Sequence, residues 1–153
     1  MVSIDGHHLQ IEEIIRVARN YEKVDISESG KKNIKKSHEL KTQILESGKA
    51  VYGINTGFGI FSNKQIANED SSKLSRNLIL SHAVGTGDSF PLEVVRASML
   101  VRANTLTKGY SGVRLEVVET LIQMLNKNVV PVVPSQGSLG SSGDLAPLSH
   151  LAL

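Results

Sequence analysis

Apolar residues at helical spacing, cut at intervals by clusters of glycine, are the pattern that most limits what this chain can fold into. IEEIIRVARN at 11–20 sets Ile11, Ile14, Ile15 and Ala18 on one side of a helix. A second helix is expected over about 27–47, with Ile34, His38, Lys41, Ile44 and Leu45 on or near one side and Gly48 beyond its end. Its Lys31-Lys32 and Lys35-Lys36 pairs read as a solvated face. A third runs from Asp70 or Ser71 to about Ser81, with Leu74, Leu78 and Ile79 inward. A fourth has Pro91 in its first turn and Asp88 or Ser89 as cap. Its stripe of Leu92, Val95, Met99, Ala103 and Leu106 is widened by Val94 and Val101, which predicts burial on more than one side. Val113, Val117, Leu121 and Leu125 line a fifth, with Val118 and Ile122 in support. Strand signals are confined to AVYG at 50–53 and VVPVV at 129–133, so the expected class is mainly α.

Glycine-rich loops fall at 53–59, 85–87 and 137–143, each beside a helix end. If they converge, they form a polar cavity for a small ligand. Their partner is not nucleic acid, because 17 basic residues against 15 acidic ones leave a net charge of only +2. With no cysteine, disulfides and zinc–thiolate sites are excluded. The first ten residues, MVSIDGHHLQ, lack a secretory signal pattern, and no apolar run approaches a bilayer span. A cytoplasmic protein with no membrane partner is expected. The apolar helix begun at Leu148 is still rising at Leu153, which reads as a truncated chain.

The stretch GSLGSSGDLAP, 137–147, has no GxGxxG, and no Gly-Lys-Ser or Gly-Lys-Thr occurs anywhere. Ser142 lacks the G-x-S-x-G elbow of a nucleophilic serine, and His150, eight residues on, does not make a dyad with it. His7, His8, His38, His82 and His150 show no metal-ligand spacing. Two readings of the residues stay open. In one, glycines make a turn and Ser141, Ser142 and Asp144 cap the next helix. In the other the backbone reacts with itself. The unhindered Gly143 nitrogen attacks the Ser141 carbonyl carbon, water leaves and a five-membered ring closes. Ser142 then loses its hydroxyl as water and becomes a methylidene carbon.

Four stretches carry a resemblance: YGINTGFG at 52–59, NLILSHAVGTG at 77–87, ANTLTKGYSGV at 103–113 and GSLGSSGDLAPLSHLAL at 137–153. In order and separation they resemble the aromatic amino acid ammonia-lyases, and the histidine-specific members in particular. The resemblance implies the N-terminal helical part of that fold, with residues 1–153 as one portion of a longer ammonia-lyase domain that is inactive alone. It implies a homotetramer with active sites shared between subunits. It also implies an autocatalytic 4-methylidene-imidazol-5-one in place of any diffusible cofactor, and no metal.

The family forms this group from Ala-Ser-Gly, whereas this chain has Ser141-Ser142-Gly143. By resemblance the cross-link joins Ser141 to Gly143, and Ser142 becomes 2,3-didehydroalanine. Asp144 supports the electrophile. The Ser141 hydroxyl lies outside the reacting atoms but competes for local hydrogen bonds. Tyr52 matches the family's acid–base tyrosine. Ser81-His82 resembles the histidine-specific pattern, where His82 exchanges a hydrogen bond with a substrate imidazole. Asn55 matches a substrate-positioning residue. The implied reaction takes L-histidine to trans-urocanate and ammonia in histidine catabolism, by capture of the amine or by attack on the imidazole ring. A tyrosine or phenylalanine ammonia-lyase or aminomutase, or an inactive structural fragment, is the alternative.

Overall fold

Valine and isoleucine flank a polar residue in two triplets, and each triplet is a strand: β1 (Val2–Ile4) and β2 (Val24–Ile26). Successive strand side chains face opposite ways, so Val2, Ile4, Val24 and Ile26 are buried while Ser3 and Asp25 meet water. The strands pair in parallel, Val2 opposite Val24 and Ile4 opposite Ile26, joined through helix α1 (Ile11–Asn20). Asn126 extends the ladder, its Oδ1 accepting the Val24 N–H and its Nδ2 donating to the Val24 carbonyl, both at 2.8 Å. Three residues are too few for a period to stand out in sequence, and neither strand was among those expected.

The computed structural model describes residues 1–66, 68–141 and 143–153, with the side chains of 68–71 left aside. After β2 come α2 (Glu28–Glu46), a 3-10 turn at Gly59–Phe61, α3 (Asn68–His82), β3 (Thr86–Ser89), α4 (Leu92–Thr107), α5 (Leu115–Asn126), β4 (Pro134–Gln136) and α6 (Leu145–Ala152). The class is mainly α, as expected. Among the described residues no helix is long and apolar enough to cross a membrane.

The chain divides into two units, and the first comprises Met1–Lys41 and Pro91–Val130. Its core joins the strand residues to Val17, Ala18, Ile34, Val95, Met99, Leu100, Ala103, Val118, Leu121, Ile122 and Leu125. All five expected helices form, but several of their faces differ from expectation. α1 meets α4 through its last turns, so Val17 and Ala18 are buried while Ile11 is 72% exposed and Ile15 is also exposed. On α4 the residues Leu92, Val94 and Val101 stay partly in water. Burial reaches Arg96, Leu100 and Thr107 instead, because α1 and α5 pack on that side. Val113 precedes α5, and Val117 is exposed. Asp88 and Ser89 lie in β3, and Pro91 itself holds the cap position of α4.

Gly30 lies close against Thr107 in the last turn of α4. A Cβ there would lie 2.4 Å from Thr107 Cγ2 and 3.2 Å from Ile26 Cγ2. Gly30→Ala should therefore lower stability by about 1–3 kcal/mol through overpacking. Adding Thr107→Ser removes the obstructing methyl and keeps the hydroxyl that donates to the Ala103 carbonyl at 2.8 Å. Urea unfolding should show the double variant recovering most of the loss. An unchanged midpoint in Gly30→Ala alone would refute this packing account.

The second unit comprises Thr42–Phe90 and Pro131–Leu153. α3 packs on α6, and β3 pairs antiparallel with β4, Thr86 opposite Gln136 and Ser89 opposite Pro134. AVYG at 50–53 is a turn, not a strand. The expected loop at 85–87 is largely strand, since Thr86 and Gly87 belong to β3, and only the end of the 129–134 region joins a sheet. Every site residue named from sequence belongs to this unit.

Candidate active site

The 49–66 segment is a loop closed on itself. Asn55 staples its start, with Oδ1 accepting the Val51 N–H and Nδ2 donating to the Lys49 carbonyl, both at 2.8 Å. Thr56 bridges Gln65, Gly57 N–H donates to Lys64 at 3.0 Å, and Ile66 N–H donates to Asn55 at 2.9 Å. Gly57 is required by space: a Cβ would lie 2.7 Å from Phe61 Cβ and 2.9 Å from its carbonyl oxygen. Tyr52 stands on this loop, 62% exposed, its ring edge-on to Phe58 at 6.0 Å between centroids. Asn55, expected as a substrate-positioning residue, therefore uses its amide to shape the loop that carries Tyr52.

His82 is the last residue of α3. Its Nδ1 lies 2.8 Å from the Leu78 carbonyl and 3.0 Å from Ser81 Oγ, and Ser81 Oγ donates to the same carbonyl at 2.9 Å. A carbonyl only accepts, so the proton sits on His82 Nδ1. In the neutral ring Nε2 then carries the lone pair and is an acceptor. The helix thus presents a ring nitrogen of defined character at its end.

The chain turns sharply after His82. Ala83 N–H returns to Ile79 at 3.0 Å and Val84 N–H to His82 at 2.9 Å. Gly85 N–H donates to His150 Nε2 at 2.9 Å. β3 and β4 then bring the 137–143 stretch back beside this loop, where a Cβ on Gly137 would lie 3.1 Å from Gly85 Cα. Of the three glycine stretches expected to converge, two thus come together, at Gly85 and Gly137.

Backbone conformation explains the glycines of the last loop. Gly137, Gly140 and Gly143 have φ of +115°, +75° and +92°, a region side chains disfavour. Around Gly143 there is open space for a Cβ, so its φ is what requires glycine. Ser141 and Gly143 are exposed, and Ser142 lies outside the described residues. Asp144, at φ 55°, starts α6 through its carbonyl, which accepts the Leu148 N–H at 3.2 Å. Its side chain makes no cap bond; Oδ1 accepts the Ser138 hydroxyl and so closes the loop across its base. The expected side-chain cap by Asp144 is therefore not made; its carboxylate goes to Ser138 instead. The backbone thus bends at Gly140, Gly143 and Asp144.

Sequence reasoning set His150 aside and missed its bond to Gly85. Neither residue carries a spacing that would reveal the other across 65 positions.

The family model for aromatic amino acid lyases matches residues 9–153. A histidine ammonia-lyase of Caldanaerobacter subterraneus subsp. tengcongensis is 57% identical over 152 residues, 99% of this chain and 30% of that protein. Two solved structures are similar. A tyrosine aminomutase from Streptomyces globisporus has a TM-score of 0.92 and 40% identity, covering 99% of this chain and 28% of that one. A histidine ammonia-lyase from Trypanosoma cruzi has a TM-score of 0.90 and 35% identity, also covering 99% and 28%. The chain spans about 30% of the length of the curated relatives it matches.

Proposed function

This chain belongs to the aromatic amino acid lyase family, and on that premise we propose that the full-length protein is a cytoplasmic, homotetrameric histidine ammonia-lyase converting L-histidine to trans-urocanate and ammonia. The observation that carries the substrate choice is His82. With Nδ1 committed to the Leu78 carbonyl, its Nε2 is left to accept from an imidazole N–H. The 57% identity to a histidine ammonia-lyase supports the same reading.

A methylidene-imidazolone made from Ser141, Ser142 and Gly143 supplies the electrophile that makes loss of the amine and of a weakly acidic β proton feasible. This chain's residues supply the rest. Gly140, Gly143 and Asp144 hold the backbone bend, and the Ser138–Asp144 bond keeps it closed. Asn55 fixes the loop bearing Tyr52, and the Tyr52 phenol handles a proton.

The test is turnover by purified full-length protein without added nucleotide or pyridoxal cofactor, followed by urocanate absorbance and chromatography. His82→Phe should lower kcat/KM for L-histidine about 10- to 100-fold, the range for losing one hydrogen bond to a buried polar partner. The 40% identity to a tyrosine aminomutase supplies the competing outcome. Turnover of tyrosine or phenylalanine but not histidine would overturn the substrate assignment and leave the family chemistry standing.

A further inference from the structure

Gly85, Pro134, Gly137 and His150 form a contact set that neither the electrophile nor substrate recognition accounts for. Each backbone N–H needs a partner when water is excluded. Ala83 and Val84 find theirs on α3, and the β3 ladder begins at Thr86. Gly85 lies between helix and sheet, and the acceptor it finds is the His150 imidazole at 2.9 Å. To accept, Nε2 must be unprotonated, so this ring is the neutral tautomer with its proton on Nδ1. The ring is also packed against the backbone: a Cβ on Gly85 would lie 2.9 Å from Nε2, 3.0 Å from Cδ2 and 3.1 Å from Pro134 Cβ. Gly137 closes on the same residue.

The bond joins two parts of the proposed site. Gly85 follows His82 by three residues, and His150 belongs to α6, which begins just after Gly143. We propose that His150 is a positioning residue: by accepting the Gly85 N–H it ties the loop leaving His82 to the helix leaving 141–143, and holds the two in register. This rests on the assignment of His82 and of residues 141–143 given under Proposed function.

The test uses the full-length protein with His150→Gln and His150→Leu. Glutamine places an acceptor oxygen near the position of Nε2, whereas leucine fills space without an acceptor. Three quantities are measured: exchange of the Gly85 amide, loss of two waters across 141–143 by peptide mass, and KM for L-histidine of the doubly dehydrated chain. His150→Leu should speed Gly85 exchange and raise KM, each about tenfold or more, as expected for an orphaned N–H. It should also lower the dehydrated fraction. His150→Gln should recover most of all three. A folded His150→Leu with parental dehydration and KM overturns the proposal. If both variants fail to fold, unprotected Gly85 exchange in the parent overturns it equally. A parent that neither loses the two waters nor turns over histidine instead brings down the site assignment, and this proposal with it.

Discussion

Ser142→Ala in the full-length protein should reduce histidine turnover to background and leave the 141–143 peptide without its second dehydration. The ring needs only the Gly143 nitrogen and the Ser141 carbonyl, so one water can still leave. The methylidene needs a leaving group on the β carbon of residue 142, and alanine has none. Tyr52→Phe makes the contrast. It keeps both dehydrations and removes a proton-transfer group, a loss typically of about 10²–10⁴-fold. Ser142→Ala should exceed that loss, because no other residue in the loop replaces the electrophile. Ser141→Ala should equal or exceed the parent, since it removes a hydroxyl that competes for hydrogen bonds in the bend and no reacting atom. Rate and peptide mass together separate the three variants. Parental turnover in Ser142→Ala would sink the mechanism, whatever the mass. An uncyclised, inactive parent beside an active Ser141→Ala would trace the defect to the first serine.

What could be read in the sequence divides along physical lines. Helices of ten residues or more announce themselves, because 3.6-residue periodicity accumulates over several turns; the five expected helices all form. Which face each buries is less legible. On α1 the isoleucines set the period, yet the neighbour lies at the C-terminal turns and takes Val17 and Ala18. Strands of three or four residues leave no period. β1 and β2 escaped notice, and β3, TGDS, has a composition indistinguishable from a loop. In the site, positive φ at Gly137, Gly140 and Gly143 was foreseeable from residue type. The job of Asn55 was not. An asparagine in a glycine loop suits a ligand or its own backbone equally, and here both ends of its amide go to Val51 and Lys49.

Arg96→Met should destabilise the protein by about 2–5 kcal/mol, since the buried Val17 and Ala18 carbonyls lose their donor at about 1–3 kcal/mol each, while that of Leu125 loses one donor and keeps the Asn128 N–H. That is a large share of the roughly 5–15 kcal/mol that holds a protein folded. Arg96 is 1% exposed, in the second turn of α4, where the helical stripe predicted nothing polar. Its Nη2 donates to the Val17 carbonyl at 2.8 Å, Nε to the Ala18 carbonyl at 3.3 Å, and Nη1 to the Leu125 carbonyl and to Asn128 Oδ1, both at 3.1 Å. The Val17 and Ala18 carbonyls belong to the C-terminal part of α1 and that of Leu125 to the end of α5. Helix ends leave carbonyls unsatisfied and carry partial negative charge, so one guanidinium serves two helices without a carboxylate. Its Cζ also sits 4.6 Å from the centre of the Tyr21 ring. Burial lowers its pKa, but a guanidinium starts so high that it stays charged. Arg96→Lys should recover only part of the loss, because an ammonium cannot aim donors at three carbonyls in a plane. Tyr21→Leu should cost about 0.5–2 kcal/mol, the range for one cation–π contact. Urea midpoints ranking Met below Lys, and Lys below Tyr21→Leu, would support this division of roles. A parental midpoint for Arg96→Met would mean the two helix ends do not depend on the guanidinium.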